Sequence, residues 1–215
     1  MSNLSFNSAE HRYLDGEREL ISVTRLLAAT GLTKDLAFLG LDPIYRNRGT
    51  AVHQIFELID KSEYDEAETS EELRPYAAQI AAFKRDTAFH GRLWESPLAN
   101  RRMRYAGTLD CIGEVGEEIW LIDVKTGVLQ ICGVATQLAA YQELVLNGEA
   151  INAVDSDFLL WAKDNQSRIR RKSLNVRGDD GPWTLRSHDE PQWPALWRGA
   201  VAVYSARKEY GMLTK

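Results

Sequence analysis

Residues 107–127, GTLDCIGEVGEEIWLIDVKTG, hold two β-rich runs that flank Gly116-Glu117. Glycine in the first central position suits a two-residue type II′ turn, whose twist matches that of antiparallel strands. With that turn Val115 faces Glu118, and counting outward puts Asp110 opposite Asp123 and Lys125 opposite Thr108. Side chains alternate along a strand, so Leu109, Cys111, Trp120, Ile122 and Val124 are expected on one wholly apolar face. The other face carries Ile112, Ile119 and Leu121 near the turn, then Asp110, Asp123 and Lys125 at the open end. Such a hairpin is largely buried, with its ionisable groups gathered at one end.

Directly opposed side chains in such a pair have Cβ atoms about 4.5–5.5 Å apart, and like charges there are destabilising. Either one carboxyl is protonated or a cation lies between the two. Lys125 is one positive charge on that face. A hard divalent ion such as Mg²⁺ takes oxygen ligands, commonly from one or two carboxylates. An amine beside such a site can orient water or stabilise charge on a phosphate. Asp123-Val124-Lys125 alone reads as a strand-edge ion pair; the register with Asp110 adds the weight.

Outward from the hairpin, HRYLDGERELISVTRLLAATGL reads as a short hairpin around Asp15-Gly16 and then a helix, with Ser22 as N-cap and Gly31 as its stop. A second helix is expected from about Arg46 to Lys61 and a third over PYAAQIAAFKRDTAF, with Pro75 in its first turn. The acidic run between them reads as a solvated turn. Strand character runs from about Arg92 to Lys125, and VATQLAAYQELVLNG has helical spacing. Ala153 to Ala162 reads as a strand, SRIRRKSLNV as an exposed strand. The last helix is expected to bury Trp193, Leu196, Trp197, Ala200, Val201 and Tyr204. No linker or repeat divides the 215 residues, so one domain of the α/β class is expected, a central mixed β-sheet flanked by helices.

Two of these helices bring further candidates. In the second, Val52, Ile55, Phe56 and Ile59 form an apolar stripe, while Gly49, His53 and Glu57 fall four apart on a neighbouring line. Gly49 would let another backbone approach. His53 is either part of a surface pair with Glu57 or a metal ligand through a neutral ring nitrogen, which would suit Mn²⁺ alongside Mg²⁺. Gln137 and Tyr141 are again four apart, on a helix otherwise rich in Ala, Leu and Val, and both need hydrogen-bond partners. Those partners are structural, or they are Lys125, water or a phosphate oxygen.

A net charge of -5 argues against holding nucleic acid by bulk electrostatics. The basic residues nevertheless cluster, as Arg101, Arg102 and Arg104 and again as Arg168, Arg170, Arg171 and Lys172, either as solvated faces or as a phosphate track. The two cysteines, Cys111 and Cys132, read as buried packing thiols and are too few for a four-cysteine zinc or iron–sulfur site. No stretch is apolar enough to span a bilayer and the first residues lack a signal-peptide pattern, so a cytoplasmic protein with no membrane partner is expected.

Taken in order, Gly49-Thr50 with His53 and Glu57, Gly107-Thr108-Leu109-Asp110, Asp123-Val124-Lys125-Thr126-Gly127, and Gln137 with Tyr141 resemble the PD-(D/E)XK nuclease superfamily in its RecB-like exonuclease branch. The opening HRYLDGERELISVTRLL is similar to the N-termini of phage or prophage members. The resemblance implies a restriction-endonuclease-like core and Mg²⁺- or Mn²⁺-dependent cleavage of DNA. It implies His53, Asp110, Asp123 and the Val124 carbonyl as metal ligands, Lys125 positioning the nucleophilic water, and Gln137, Tyr141 and Glu57 in the same machinery. Arg101, Arg102, Arg104, Arg170 and Arg171 would then bind DNA, with a recombination or helicase partner possible and no iron–sulfur cluster. Leu109 stands where the superfamily name has proline. The alternative is a nucleic-acid-binding module with a nuclease-like fold and no catalysis.

Overall fold

The computed structural model describes residues 4–33, 43–152, 156–179 and 181–212. Among these residues nine strands form one mixed sheet: β1 (Leu4–Asn7), β2 (Arg12–Asp15), β3 (Arg18–Ser22), β4 (His90–Asn100), β5 (Tyr105–Val115), β6 (Glu118–Lys125), β7 (Glu149–Ala150), β8 (Ile169–Asn175) and β9 (Thr184–Ser187). Among the described residues six α-helices accompany them: α1 (Val23–Ala29), α2 (Pro43–Asp60), α3 (Arg74–Thr87), α4 (Ile131–Asn147), α5 (Ser156–Asp164) and α6 (Gln192–Glu209). Strand order is β1-β2-β3-β5-β6-β8-β9, with β4 on β5 and β7 on β4. The β3–β5 and β6–β8 pairs are parallel and the others antiparallel. No described helix is long and apolar enough to cross a membrane.

Each face of the sheet is covered by its own helices. Leu26 and Leu27 of α1, Leu138 and Leu144 of α4, Leu159 of α5 and Trp197 of α6 pack with Ile112, Ile119 and Leu121 of the sheet. On the other face Val52, Ile55 and Phe56 of α2 and Ile80 and Phe83 of α3 pack with Cys111, Trp120, Ile122 and Val124. Phe56 meets Phe83 and Trp94 edge to face, with ring centroids 5.6 and 4.8 Å apart, a geometry the aromatic quadrupole favours.

The hairpin register expected from Gly116 is the one found, Val115 against Glu118, with Gly116 at φ 56°. Its ladder ends at Cys111 against Ile122, so Asp110 and Asp123 are in register without being a bonded pair. β4 runs along β5 from Asn100/Tyr105 to His90/Glu114, which leaves the opposite edge of β5 to β3 and β6. β3 takes Tyr105 and Ala106, and β6 takes Cys111 to Val115. Between them Gly107 to Asp110 face a gap in the sheet, into which the ends of β3 and β6 both run.

A kink sits beside that gap. Trp94 pairs with Cys111 and Ser96 with Leu109, but Glu95 and Asp110 between them drop out of the ladder, Glu95 at φ 41°. The face alternation flips there on both strands. Leu109 therefore packs with Ile112 and not with Cys111, and Leu98 packs with Leu93. The expected apolar row of Leu109, Cys111, Trp120, Ile122 and Val124 loses Leu109 for this reason.

Three further expectations are corrected. The strand expected over Ala153 to Ala162 is helix α5 from Ser156 onward, its first residues lying outside the described ones; Leu159 and Ala162, three apart, are its buried pair while Leu160 is exposed. SRIRRKSLNV does form a strand, β8, but an interior one, because β6 and β9 flank it. Cys132 is exposed, and only Cys111 is a buried thiol. The N-terminal reading holds: Ser22 Oγ accepts from the Arg25 N–H at 3.2 Å and caps α1, and Gly31 follows it at φ 77°.

Candidate active site

The gap in the sheet opens into a cavity of about 240 Å³ lined by Gly107, Thr108 and Asp110 of β5, Glu95 of β4, Lys125 of β6, His53 of α2, Gln137 and Tyr141 of α4, and by His11, Tyr13 and the start of α1. Asp110 turns its carboxylate into the space a ladder partner would fill: Oδ2 accepts from the Val124 N–H at 2.7 Å. A side chain thus replaces the missing rung, which satisfies the Val124 donor and anchors the acid.

Asp123 has no exposure to solvent, and Lys125 Nζ lies 2.8 Å from its Oδ1 and 2.7 Å from its Oδ2. Burial pushes the Asp123 carboxyl up from its ordinary range despite Lys125. Burial also works against the Lys125 ammonium, but the Asp123 and Asp110 carboxylates outweigh it and hold the lysine protonated. Gln137 Oε1 is a second acceptor for Nζ at 3.5 Å, and Gln137 Nε2 donates to the Tyr141 hydroxyl at 3.0 Å. Burial, with Asp110 next, keeps that hydroxyl protonated. Since its oxygen accepts from Gln137, its own proton remains to donate into the cavity.

His53 reaches across from α2. Its Nδ1 is 3.0 Å from Glu95 Oε1, and its Nε2 is 3.3 Å from the Val124 carbonyl and 3.5 Å from Asp110 Oδ2. Burial alone would lower its pKa; Asp110 and Glu95 overcome that and push it up to about 9. The chain therefore supplies two cations of its own, Lys125 for Asp123 and the His53 imidazolium for Asp110 and Glu95. Facing carboxylates do not by themselves demand an external ion here.

Candidate ligand atoms of His53, Glu95 and Asp110 all lie within 4.8 Å of one another. One imidazole and two carboxylates, with the Val124 carbonyl beside them, form an oxygen-rich set that suits Mg²⁺ or Mn²⁺, provided the histidine gives up its proton. Of the ligands expected from sequence, His53, Asp110 and Val124 come together, whereas both Asp123 oxygens face Lys125. Glu95 takes the place expected for Asp123. It was missed because its partner across β4–β5 can be counted only once the Arg101–Arg104 connection is known.

Other expectations separate from the site. Glu57 pairs with Lys61 on its own helix at 2.6 Å and does not line the cavity. Gly49 is not a point of close packing, since a Cβ there would meet no described atom within 4 Å. Arg171 is buried, its side chain 5% exposed beside Asp189, and cannot offer a phosphate contact on the surface. Arg170 is engaged by Glu118 at 3.1 Å, and Arg101 lies between Asp15 and Glu149. Arg102 and Arg104 are exposed. Neither a scan against protein-family models nor a search of curated proteins finds a match to this chain.

Proposed function

We propose that the chain is a metal-dependent DNA nuclease of the PD-(D/E)XK kind, with a restriction-endonuclease-like core, acting as an exonuclease on phosphodiester bonds with Mg²⁺ or Mn²⁺. One observation carries the reading: a His53, Glu95 and Asp110 ligand set shares a single cavity with a lysine held protonated by a buried aspartate. Either ion, when bound, supplies Lewis-acid stabilisation of a phosphoryl oxygen and a more acidic water. His53, Glu95, Asp110 and the Val124 carbonyl would hold it.

The rest of the chemistry falls to this chain's own groups. Asp123 fixes the Lys125 ammonium at the cavity wall, where it stabilises negative charge gathering on a phosphate. Gln137 holds Lys125 from the other side and orients Tyr141, whose hydroxyl proton is directed at the same phosphate. A non-catalytic DNA-binding module gains little support, because Arg171 is buried and Arg170 and Arg101 are paired internally.

The deciding experiment incubates end-labelled linear, circular and single-stranded DNA with wild type and Asp110→Asn, with and without Mn²⁺. Asparagine keeps an oxygen for the Val124 N–H, so the variant is expected to fold. Mn²⁺-dependent loss of label in wild type, falling to background in the variant, supports the reading. Unchanged cleavage by Asp110→Asn overturns it, and so does inactivity of wild type on every DNA form.

A further inference from the structure

The cavity has one wall that neither the ligand set nor the lysine explains. The turn between β1 and β2 brings His11 to it, with Tyr13 of β2 behind. His11 takes a left-handed backbone at φ 50°, a conformation that side chains other than glycine rarely adopt. Its ring is packed edge-on against Phe6 and Tyr13, each with centroids 5.5 Å away, and Phe6 in turn stacks on Tyr13 at 4.7 Å. His11 Nε2 is 3.3 Å from the Tyr13 hydroxyl, which is 2.8 Å from Thr108 Oγ1. Thr108 stands two residues before Asp110 on the strand that floors the cavity. The imidazole is thus held against the aromatic pair and tied through Tyr13 to the strand bearing Asp110.

The other ring nitrogen, Nδ1, has no hydrogen-bond partner among the described residues. Burial pushes the Tyr13 hydroxyl up to about 12, so it keeps its proton, and burial lowers His11 while Glu95 raises it. When Tyr13 donates to Nε2, the neutral ring of this cavity-lining residue carries its proton on Nδ1 and leaves that N–H to donate. An anion entering along the hairpin then meets His11 as a neutral donor.

Resting on the nuclease reading above, we propose that His11 is a substrate-contacting residue: its imidazole donates to a phosphate oxygen of the nucleotide next to the scissile one, and so holds the strand in the cavity. It acts in binding and leaves the ligand set and Lys125 to the chemistry.

The test compares wild type, His11→Ala and His11→Gln in two assays. One is Mn²⁺-dependent cleavage of a 12-nucleotide single-stranded DNA; the other is anisotropy of the same labelled oligonucleotide with Ca²⁺ in place of Mn²⁺. His11→Ala is expected to raise KM and Kd about tenfold, with kcat within about twofold and the Mn²⁺ concentration for half-maximal rate unchanged. Glutamine, which restores an N–H, is expected to recover most of that loss; a merely structural role would not show this rescue. Wild-type KM and Kd in His11→Ala overturn the proposal alone, as does a loss that glutamine does not relieve or one confined to kcat. Wild type inactive on every DNA form overturns the nuclease reading and this proposal with it, whereas wild type that cleaves another form but neither cleaves nor binds the oligonucleotide overturns this proposal alone.

Discussion

Asp123 and Lys125 show how one side chain's burden fixes another's role. A carboxylate without solvent exposure is tolerated because an ammonium lies 2.7–2.8 Å from both its oxygens. Removing the lysine strands that charge, and breaking a buried pair from one side typically costs about 3–5 kcal/mol. Lys125→Ala is therefore expected to be clearly less stable than wild type in urea unfolding at pH 8. The double variant Asp123→Asn/Lys125→Gln should recover much of the loss; equal stability of wild type and the single variant would show that the pair matters little. Lost cleavage in Lys125→Ala consequently has to be read beside its folding. His188 makes a second residue-scale prediction. It is buried, its Nε2 2.8 Å from Ser173 Oγ, and burial first, then Arg186, holds its pKa below 6.5. The unfolded chain binds the proton more readily, so this stabilisation is complete above pH 6.5 and is lost as pH falls through the lower native value. Thermal melts from pH 7.5 to 5 should show that slope in wild type and a flatter one in His188→Gln.

At the scale of elements, the site depends on β5 losing a neighbour. Gly107 lies where the gap begins, and a Cβ there would stand 2.8 Å from Tyr141 Cε1 and 3.1 Å from Val23 Cγ2. Gly107→Ala forces the Tyr141 ring to shift, and crowding of this kind in a packed core costs about 1–3 kcal/mol. A lower Tm with kcat reduced beyond what the folded fraction explains is expected; full activity would mean that Tyr141 placement is unimportant. How far these elements can be read from sequence follows from what each depends on. The β5–β6 register was legible because Gly116 takes a positive φ that a side chain resists. Asp110 and Lys125 could therefore be placed at one end of the hairpin. The kink at Glu95 and Asp110 was not legible, since it arises from two strands leaving the ladder together, and it hid both Glu95 and the true face of Leu109. α5 misled for a different reason: Phe158-Leu159-Leu160-Trp161 is a short apolar run, in which strand and helix periodicities cannot be told apart.

Across the whole molecule, charge decides how DNA could approach a chain with a net -5. Basic residues that look like a track in sequence are largely spent inside the fold: Arg171 is buried beside Asp189, Arg170 is paired with Glu118, and Arg168 donates to the Glu117 carbonyl and lies 5.6 Å over Trp161. Tertiary structure consumes these charges, which is why adjacency in sequence overstated the second cluster. Arg102 and Arg104, exposed in the connection from β4 to β5, have no ion pair among the described residues. That connection joins the two strands that carry Glu95 and Asp110. Each phosphate neutralised contributes a slope of about 0.7–0.9 to the fall of log affinity with log salt concentration. Arg102→Gln/Arg104→Gln is expected to lower that slope by about 1–2 in Ca²⁺-supported DNA binding and to leave stability unchanged. Arg171→Gln should do the opposite, lowering Tm with little change in slope. An unchanged slope in the double variant would move the phosphate contacts elsewhere and leave the cavity itself, with Lys125 and His11, as the principal grip on the substrate.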